Sequence, residues 1–191
     1  MNTLNILLLS ITLLSQLPPK DAPKSVDAAH STLRIHVAKT GLFSTFGHNH
    51  EIEAPIESGE VVESGKLSVS LRVDARKLKV LDPEDPKSRP QVQETMLGPQ
   101  VLDSTRYPEI RFESEKIESK RPNHWVVTGR LTLHGQTLPI SFDVALADKV
   151  YRGTATIKQT EFGMTPVSVA GGSVKVKNEV KVEFAIGLKA D

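Results

Sequence analysis

The sequence predicts an all-β domain with one short helix, and three observations lead to that prediction. Most of the chain alternates apolar and polar residues with a period of two, which is typical of strands that bury one face. A single stretch between Val80 and Tyr107 breaks this rhythm with prolines and helical spacing. The chain has 191 residues and no cysteine, which fits one domain with a leader and a core that needs no cross-links.

The last segment shows the alternation most clearly. Apolar residues occupy one parity over residues 174–188, interrupted only by Asn178, and charged residues fill the other parity. No helix would sort these residues so cleanly, because its side chains repeat every 3.6 positions. Residues 66–73 repeat the pattern. Further strands are predicted at 110–117, 125–133, 138–146 and 154–160, and a tight turn at residues 134–136 joins two of them into a hairpin.

The interrupted stretch predicts one short helix near residues 88–100. Ser88 is suited to the N-cap position, and Pro90 falls in the first turn, where its missing N–H costs nothing. The apolar residues at helical spacing are Val92, Met96 and Leu97. An acidic cluster just upstream, Asp82, Glu84 and Asp85, lies among prolines and is predicted to be a solvated turn.

The N-terminal residues have a different character. Residues 4–17 are apolar apart from small polar side chains, and this run is too short to span a bilayer. Residues 1–17 are therefore predicted to be a secretory signal peptide, with an uncleaved N-terminal anchor as the alternative. A flexible connector is expected over 18–29, and the barrel domain over 30–191.

Composition excludes several functions. The net charge is +1 with both signs interspersed, so no electrostatic surface for nucleic acid is expected. Without cysteine there is no thiol catalysis and no Cys-ligated zinc or iron–sulfur cluster. Catalytic and phosphate-binding motifs are also missing from the sequence. The chain is therefore predicted to be neither an enzyme nor dependent on a cofactor.

Strands with one apolar face must stack into a sandwich or close into a barrel. Periodicity alone does not choose between these two. Closure would remove exposed strand edges, and an eight-stranded barrel can be just wide enough to hold one slender ligand.

A family resemblance favours the barrel. Three segments in order, YPEIRFES (107–114), TGRLTLHGQTLPISFDV (128–144) and EFGM (161–164), resemble the YceI-like family of lipocalin-like periplasmic proteins, and HSTLRIHV (30–37) fits that family's opening strand. The resemblance covers about residues 30–190. It implies a closed antiparallel eight-stranded lipocalin-like barrel with a short helix near its mouth. It also implies a hydrophobic lumen for a polyisoprenoid chain, such as a quinone tail, and no catalytic residues.

The inward positions of the barrel are the candidate ligand-binding residues. In a barrel these residues either fill the core or line a channel, and the resemblance favours the channel. The candidates are Val69, Leu71, Phe112, Leu131, Leu133, Phe142, Val182 and Phe184.

A metal-binding protein is the alternative. Residues two apart in a strand point the same way, so the step His48-Asn49-His50 could direct two imidazoles at one ion. Zinc needs three or four ligands, and the neighbouring Glu51 and Glu53 would point to the opposite face. The simpler interpretation is that these histidines lie at a strand start near the barrel rim, where they are hydrogen-bonded or solvated.

The sequence thus predicts an exported binding protein, periplasmic or secreted, whose partner is a polyisoprenoid-type lipid. Nucleic acid is not expected as a partner, and membrane contact is expected only through an uncleaved leader. A homodimer, or a barrel whose outer surface binds another protein, stays open.

Overall fold

The computed structural model describes residues 22–40, 49–82, 85–169 and 174–190, and the predicted signal peptide lies outside them. The helix is α1 (Arg89–Leu97). The strands are β1 (Lys24–Ser25), β2 (Thr32–Thr40), β3 (His50–Glu53), β4 (Ile56–Val62), β5 (Ser68–Asp74), β6 (Lys79–Val80), β7 (Glu109–Arg121), β8 (His124–Leu133), β9 (Gln136–Ala147), β10 (Val150–Lys158), β11 (Ser168–Val169) and β12 (Val174–Gly187). Short 3₁₀ turns at Ala75–Lys77 and Gln159–Phe162 follow β5 and β10.

The strands form one curled antiparallel sheet, and the predicted all-β class with one short helix is confirmed. The strand order is β1-β4-β5-β7-β8-β9-β10-β12-β2-β3-β6, and β11 pairs with β12. Within the described residues the sheet has twelve strands rather than the eight predicted. Eight of them are seven or more residues long, and the other four have two to four residues, too few to carry a detectable period.

The sheet begins earlier in the chain than the sequence indicates. Lys24 and Ser25 pair with β4, and Val26, which is 4% exposed, forms an isolated bridge with Leu188. The backbone N–H of Asp27 donates to the carbonyl of Gly187 over 2.9 Å. Residues 24–26, predicted as part of the flexible connector, therefore belong to the sheet and contact the end of β12.

The interruption at Asn178 is a β-bulge. Strand β12 pairs with β2 as Val176 with Lys39 and then Val180 with Val37, so the register shifts between the two pairs. The side chain of Asn178 is used elsewhere: its Oδ1 accepts from the backbone N–H of Thr160, and its Nδ2 donates to the Thr160 hydroxyl, both at 2.9 Å. The bulge therefore ties β12 to the 3₁₀ turn after β10.

Helix α1 lies where predicted, but its start differs in detail. Ser88 occupies the N-cap position without a capping hydrogen bond, because its hydroxyl bonds the carboxylate of Asp85 instead. Met96 is 6% exposed, and Val92 and Leu97 pack against the same core. Within the described ranges, no helix has the length and apolar character to cross a membrane.

Asp74, at the end of β5, should make the fold sensitive to acid. Its carboxylate accepts hydrogen bonds from the backbone and guanidinium of Arg76, which lower the pKa of Asp74 from 3.8 to about 2. Since the folded pKa is the lower one, ionised Asp74 stabilises the fold above pH 3.8, and this stabilisation is lost as the pH falls towards about 2.

Replacing Asp74→Asn should therefore lower the melting temperature at neutral pH, and the difference from the wild type should shrink as the pH falls from about 4 to about 2. Thermal unfolding across that range checks this. Asp143→Asn, on the exposed outer side of β9, is the matched control. A difference between the Asp74 variant and wild type that stays constant with pH would contradict the assignment.

Candidate ligand-binding site

The inner face of the curled sheet encloses an apolar cavity with a volume of about 280 Å³. Most of its lining comes from the inward parity of β2, β5, β7, β8, β9, β10 and β12, with further residues from β3, β4, α1 and the segment that follows α1. Three polar side chains, Glu63, Ser68 and Gln159, are part of a lining that is otherwise apolar or aromatic. The interior is therefore hollow rather than filled across its middle.

All the residues predicted to face inward line this cavity. The alternation explains why, because each predicted strand contributes one parity to the interior. The structure brings together Val69, Leu71, Phe112, Leu131, Leu133, Phe142, Val182 and Phe184. That they contact a ligand remains a prediction.

Three phenylalanines form a belt across five neighbouring strands, with glycines between them. The ring of Phe142 on β9 lies 5.3 Å from that of Phe112 on β7 and 5.5 Å from that of Phe184 on β12, measured between centroids. A Cβ at Gly129 on β8 would lie 2.7 Å from the Phe112 ring, and one at Gly153 on β10 would lie 2.4 Å from the Phe184 ring. The rings thus lie against bare backbone, which keeps them at the wall and leaves the lumen open.

Replacing Gly153→Ala should push the Phe184 ring away from the wall. The new methyl would also approach the carbonyl oxygen of Asp143 to 2.4 Å, so the free energy of unfolding should fall by about 1–3 kcal/mol. Urea denaturation measures this. Gly187→Ala, where a Cβ meets nothing within 4 Å, is the control and should change little. Equal stabilities for the two variants would contradict the role of the belt.

One end of the cavity is covered by the region around α1, and this end is called the helix end. Met96, Leu102 and Leu133 line it at 6–7% exposure, and Met164 at 5%. The resemblance implied a helix near the mouth of the barrel. In the structure, the residues that line the cavity at the helix end are buried. The residues that line the opposite end of the cavity are partly exposed.

The three segments that carry the family resemblance meet at the helix end. The ring of His134 lies 4.7 Å from that of Tyr107, edge to face, and its Nδ1 lies 2.9 Å from the carbonyl oxygen of Phe162. Because a carbonyl oxygen only accepts, Nδ1 donates this hydrogen bond. His134 and Gly135 both have positive φ, as a two-residue hairpin turn requires. These residues therefore fix the packing of the helix end.

The opposite end of the cavity carries a polar cluster that the sequence did not indicate. The hydroxyl of Tyr151 donates to Oε1 of Glu63 over 2.5 Å, and Nζ of Lys24 lies 3.1 Å from Oε2 of Glu63. The hydrogen bond from Tyr151 lowers the pKa of Glu63. Burial, and then the hydrogen bond to Glu63, raise the pKa of Tyr151. At neutral pH the cluster therefore pairs an ionised carboxylate with a protonated phenol.

The metal-binding alternative is not supported. His48 lies outside the described residues, and Nδ1 of His50 lies 2.6 Å from a carboxylate oxygen of Asp82, whose side chain is 4% exposed. The other oxygen of Asp82 accepts from the backbone N–H of Glu51. Asp82 is therefore buried and paired, not part of a solvated turn as predicted. Over the ranges that the structure describes, no group of three or more His, Cys, Asp or Glu residues could hold a metal ion.

An antiparallel sheet curled around an apolar cavity defines a class of folds whose interior can accommodate an apolar small molecule. The chain belongs to the family of the YceI-like domain, whose profile matches residues 25–188. This confirms the resemblance seen in the sequence.

Solved structures share this fold. BcnA from Burkholderia cenocepacia is 20% identical with a TM-score of 0.69, and the match covers 86% of this chain and 99% of that protein. The Campylobacter jejuni YCEI protein is 15% identical with a TM-score of 0.50, covering 71% and 84%. A mutant of that protein with a monobromobimane guest is 14% identical with a TM-score of 0.53, covering 73% and 82%. Among curated proteins, none matches the chain.

Proposed function

We propose that this chain is an exported binding protein that holds an elongated apolar lipid, polyisoprenoid or quinone-like, and performs no chemistry on it. The observation that carries the proposal is the cavity of about 280 Å³ whose lining is almost wholly apolar. Such a space in water is unfavourable unless an apolar molecule occupies it. Its volume lies near the lower end of the roughly 300–1,000 Å³ typical of ligand sites, which fits a slender chain.

A chain-like lipid needs no polar anchor to bind here. Each methylene moved from water into the cavity contributes about 0.8 kcal/mol. Association costs at least about 4 kcal/mol in lost freedom of motion, so several methylenes must be buried before binding is favourable. Affinity should therefore depend on chain length.

In this proposal the eight longer strands enclose the lumen as a closed barrel, with the seam lying between β2 and β4. Contacts across that seam support this. The backbone N–H of Lys189, after β12, donates to the carbonyl of Ser25 over 3.0 Å, and that of Asp27 donates to the carbonyl of Gly187 over 2.9 Å. Together with the bridge between Val26 and Leu188, they join the two sides of the seam.

Export to the periplasm or beyond is part of the proposal. It is supported by the apolar run at residues 4–17 and by the family to which the chain belongs. Intact mass measurement of the protein recovered from a periplasmic or secreted fraction should give a chain shortened by the leader. Full-length protein found only with the membrane would favour the anchor instead.

A prenol series tests the binding function. Farnesol, geranylgeraniol and solanesol present the same hydroxyl on chains of increasing length. Because each added isoprene unit buries further methylenes, affinity should rise by at least about tenfold from farnesol to geranylgeraniol, until the chain outgrows the cavity. Calorimetry or competition with a fluorescent lipid measures this. No binding of any member, with the protein folded, would overturn the proposal.

A further inference from the structure

One end of the cavity meets solvent, and its lining differs from the rest. At this end, here called the open end, Leu67, Ile117 and Trp125 line the cavity with intermediate exposure, in contrast to the buried residues at the helix end. Glu63 and Tyr151 line the cavity at the same place. A ligand with an apolar chain and a polar head would keep its chain among apolar walls and its head where water and polar groups are within reach.

The polar cluster at the open end offers acceptors. The single proton of the Tyr151 hydroxyl is donated to Glu63, so the phenol oxygen is left as an acceptor. The Glu63 carboxylate accepts from Tyr151 through Oε1 and faces Lys24 through Oε2, and each oxygen has a second lone pair. A group placed beside the Glu63–Tyr151 pair is therefore bound best if it donates a hydrogen bond.

An aromatic wall stands beside these acceptors. The rings of Trp125 and Tyr151 lie 6.0 Å apart between centroids and are inclined by 52°. Both side chains combine a large apolar body with a polar tip, which suits them to the boundary between a lipid chain and water. They flank the position that a head group would take as the chain enters the lumen.

We propose that Glu63 and Tyr151 form a head-group site at the open end that selects lipids ending in a neutral hydrogen-bond donor, an alcohol or a phenol, over lipids ending in a phosphate. This rests on the proposed function, because it concerns one end of the same cavity. The hydroxyl of the lipid donates to the Glu63 carboxylate, while the chain extends towards the helix end. A phosphate would meet the negative charge of Glu63 at close range and offers it no proton when fully ionised.

The test compares three lipids that share one chain: geranylgeraniol, its methyl ether and its monophosphate. Since a hydrogen bond to a charged group contributes more than a neutral one, the wild type should bind the alcohol about tenfold more tightly than the ether. Glu63→Gln should reduce that preference to about threefold or less. The same change should shift the ratio of alcohol to phosphate affinity towards the phosphate, because the repelling charge is gone.

Two further variants separate the site from general effects. Glu60→Gln removes the same charge three residues away, on β4, but Glu60 lines an outer groove and not the cavity, so the affinities of this variant should equal those of the wild type. Tyr151→Phe keeps the ring and removes the hydroxyl, and it should also reduce the preference for the alcohol. Thermal unfolding of each variant verifies that it is folded.

The outcomes are distinct. Equal wild-type affinities for alcohol and ether, or a preference unchanged in Glu63→Gln, would overturn the head-group site while leaving the binding cavity intact. Tighter wild-type binding of the monophosphate than of the alcohol would also overturn it. Failure of all three lipids to bind the folded wild type would overturn the proposed function and this inference with it.

Discussion

Replacing Val182→Trp should weaken lipid binding severely while leaving the fold intact. Val182 lies near the middle of β12 and lines the cavity, and it is only half-buried because its side chain faces the lumen. An indole there would occupy space that the lipid chain needs. If it excludes about four methylenes, the loss is about 3 kcal/mol, or more than about 100-fold in affinity. Titration with geranylgeraniol measures the change.

The neighbouring residue provides the control. Lys181 lies on the exposed outer side of the same strand, so Lys181→Trp adds the same side chain outside the cavity and should leave lipid affinity unchanged. Thermal unfolding should show both variants folded. Full lipid binding by the Val182 variant would mean that the cavity is not where the ligand lies.

The largest loss of stability is expected from Phe162→Ala. At 1% exposure, Phe162 is the largest fully buried side chain among the described residues. It lies at the helix end, where the three segments that carry the family resemblance meet, and its carbonyl accepts from His134. Removing a phenyl ring from a packed site leaves a cavity, and the free energy of unfolding should fall by about 3–5 kcal/mol.

Phe142→Ala is the matched comparison, because Phe142 already faces the lumen and is only half-buried. It should cost less stability than Phe162→Ala and should instead weaken lipid binding. Urea denaturation monitored by circular dichroism gives both stabilities. Similar losses for the two variants would contradict the distinction between a packed helix end and a hollow lumen.

Periodicity predicted the lining of the cavity because long strands have one parity inside. Residues 66–73 and 174–188 illustrate this: their apolar parity supplies Val69, Leu71, Val182 and Phe184. Curling of the sheet was implied by the family resemblance, since the same alternation suits a sandwich. Strands such as β1 were missed because a strand of two residues shows no periodicity. In addition, β1 lies at the end of a segment rich in proline and lysine, which is typical of a connector.

The remaining parts of the site depend on how strands that are distant in the sequence are arranged in the sheet, which the periodicity does not indicate. Glu63 and Tyr151 are 88 positions apart and meet only because β4 ends and β10 begins at the same rim of the sheet. Likewise, the pairing of His50 with Asp82 joins a histidine predicted at the rim to an acid predicted in a solvated turn. The glycines of the belt did leave a signal: glycine within a strand often marks a close approach, as Gly129 and Gly153 do to the phenyl rings.

The claim that a lipid fills the hollow interior is tested most directly by measuring the mass of the folded protein. Native mass spectrometry of protein purified without detergent should show a bound mass of several hundred daltons, released on unfolding and recovered as an apolar lipid by solvent extraction. A folded protein that carries no added mass, and takes none up when incubated with prenols, would contradict the account.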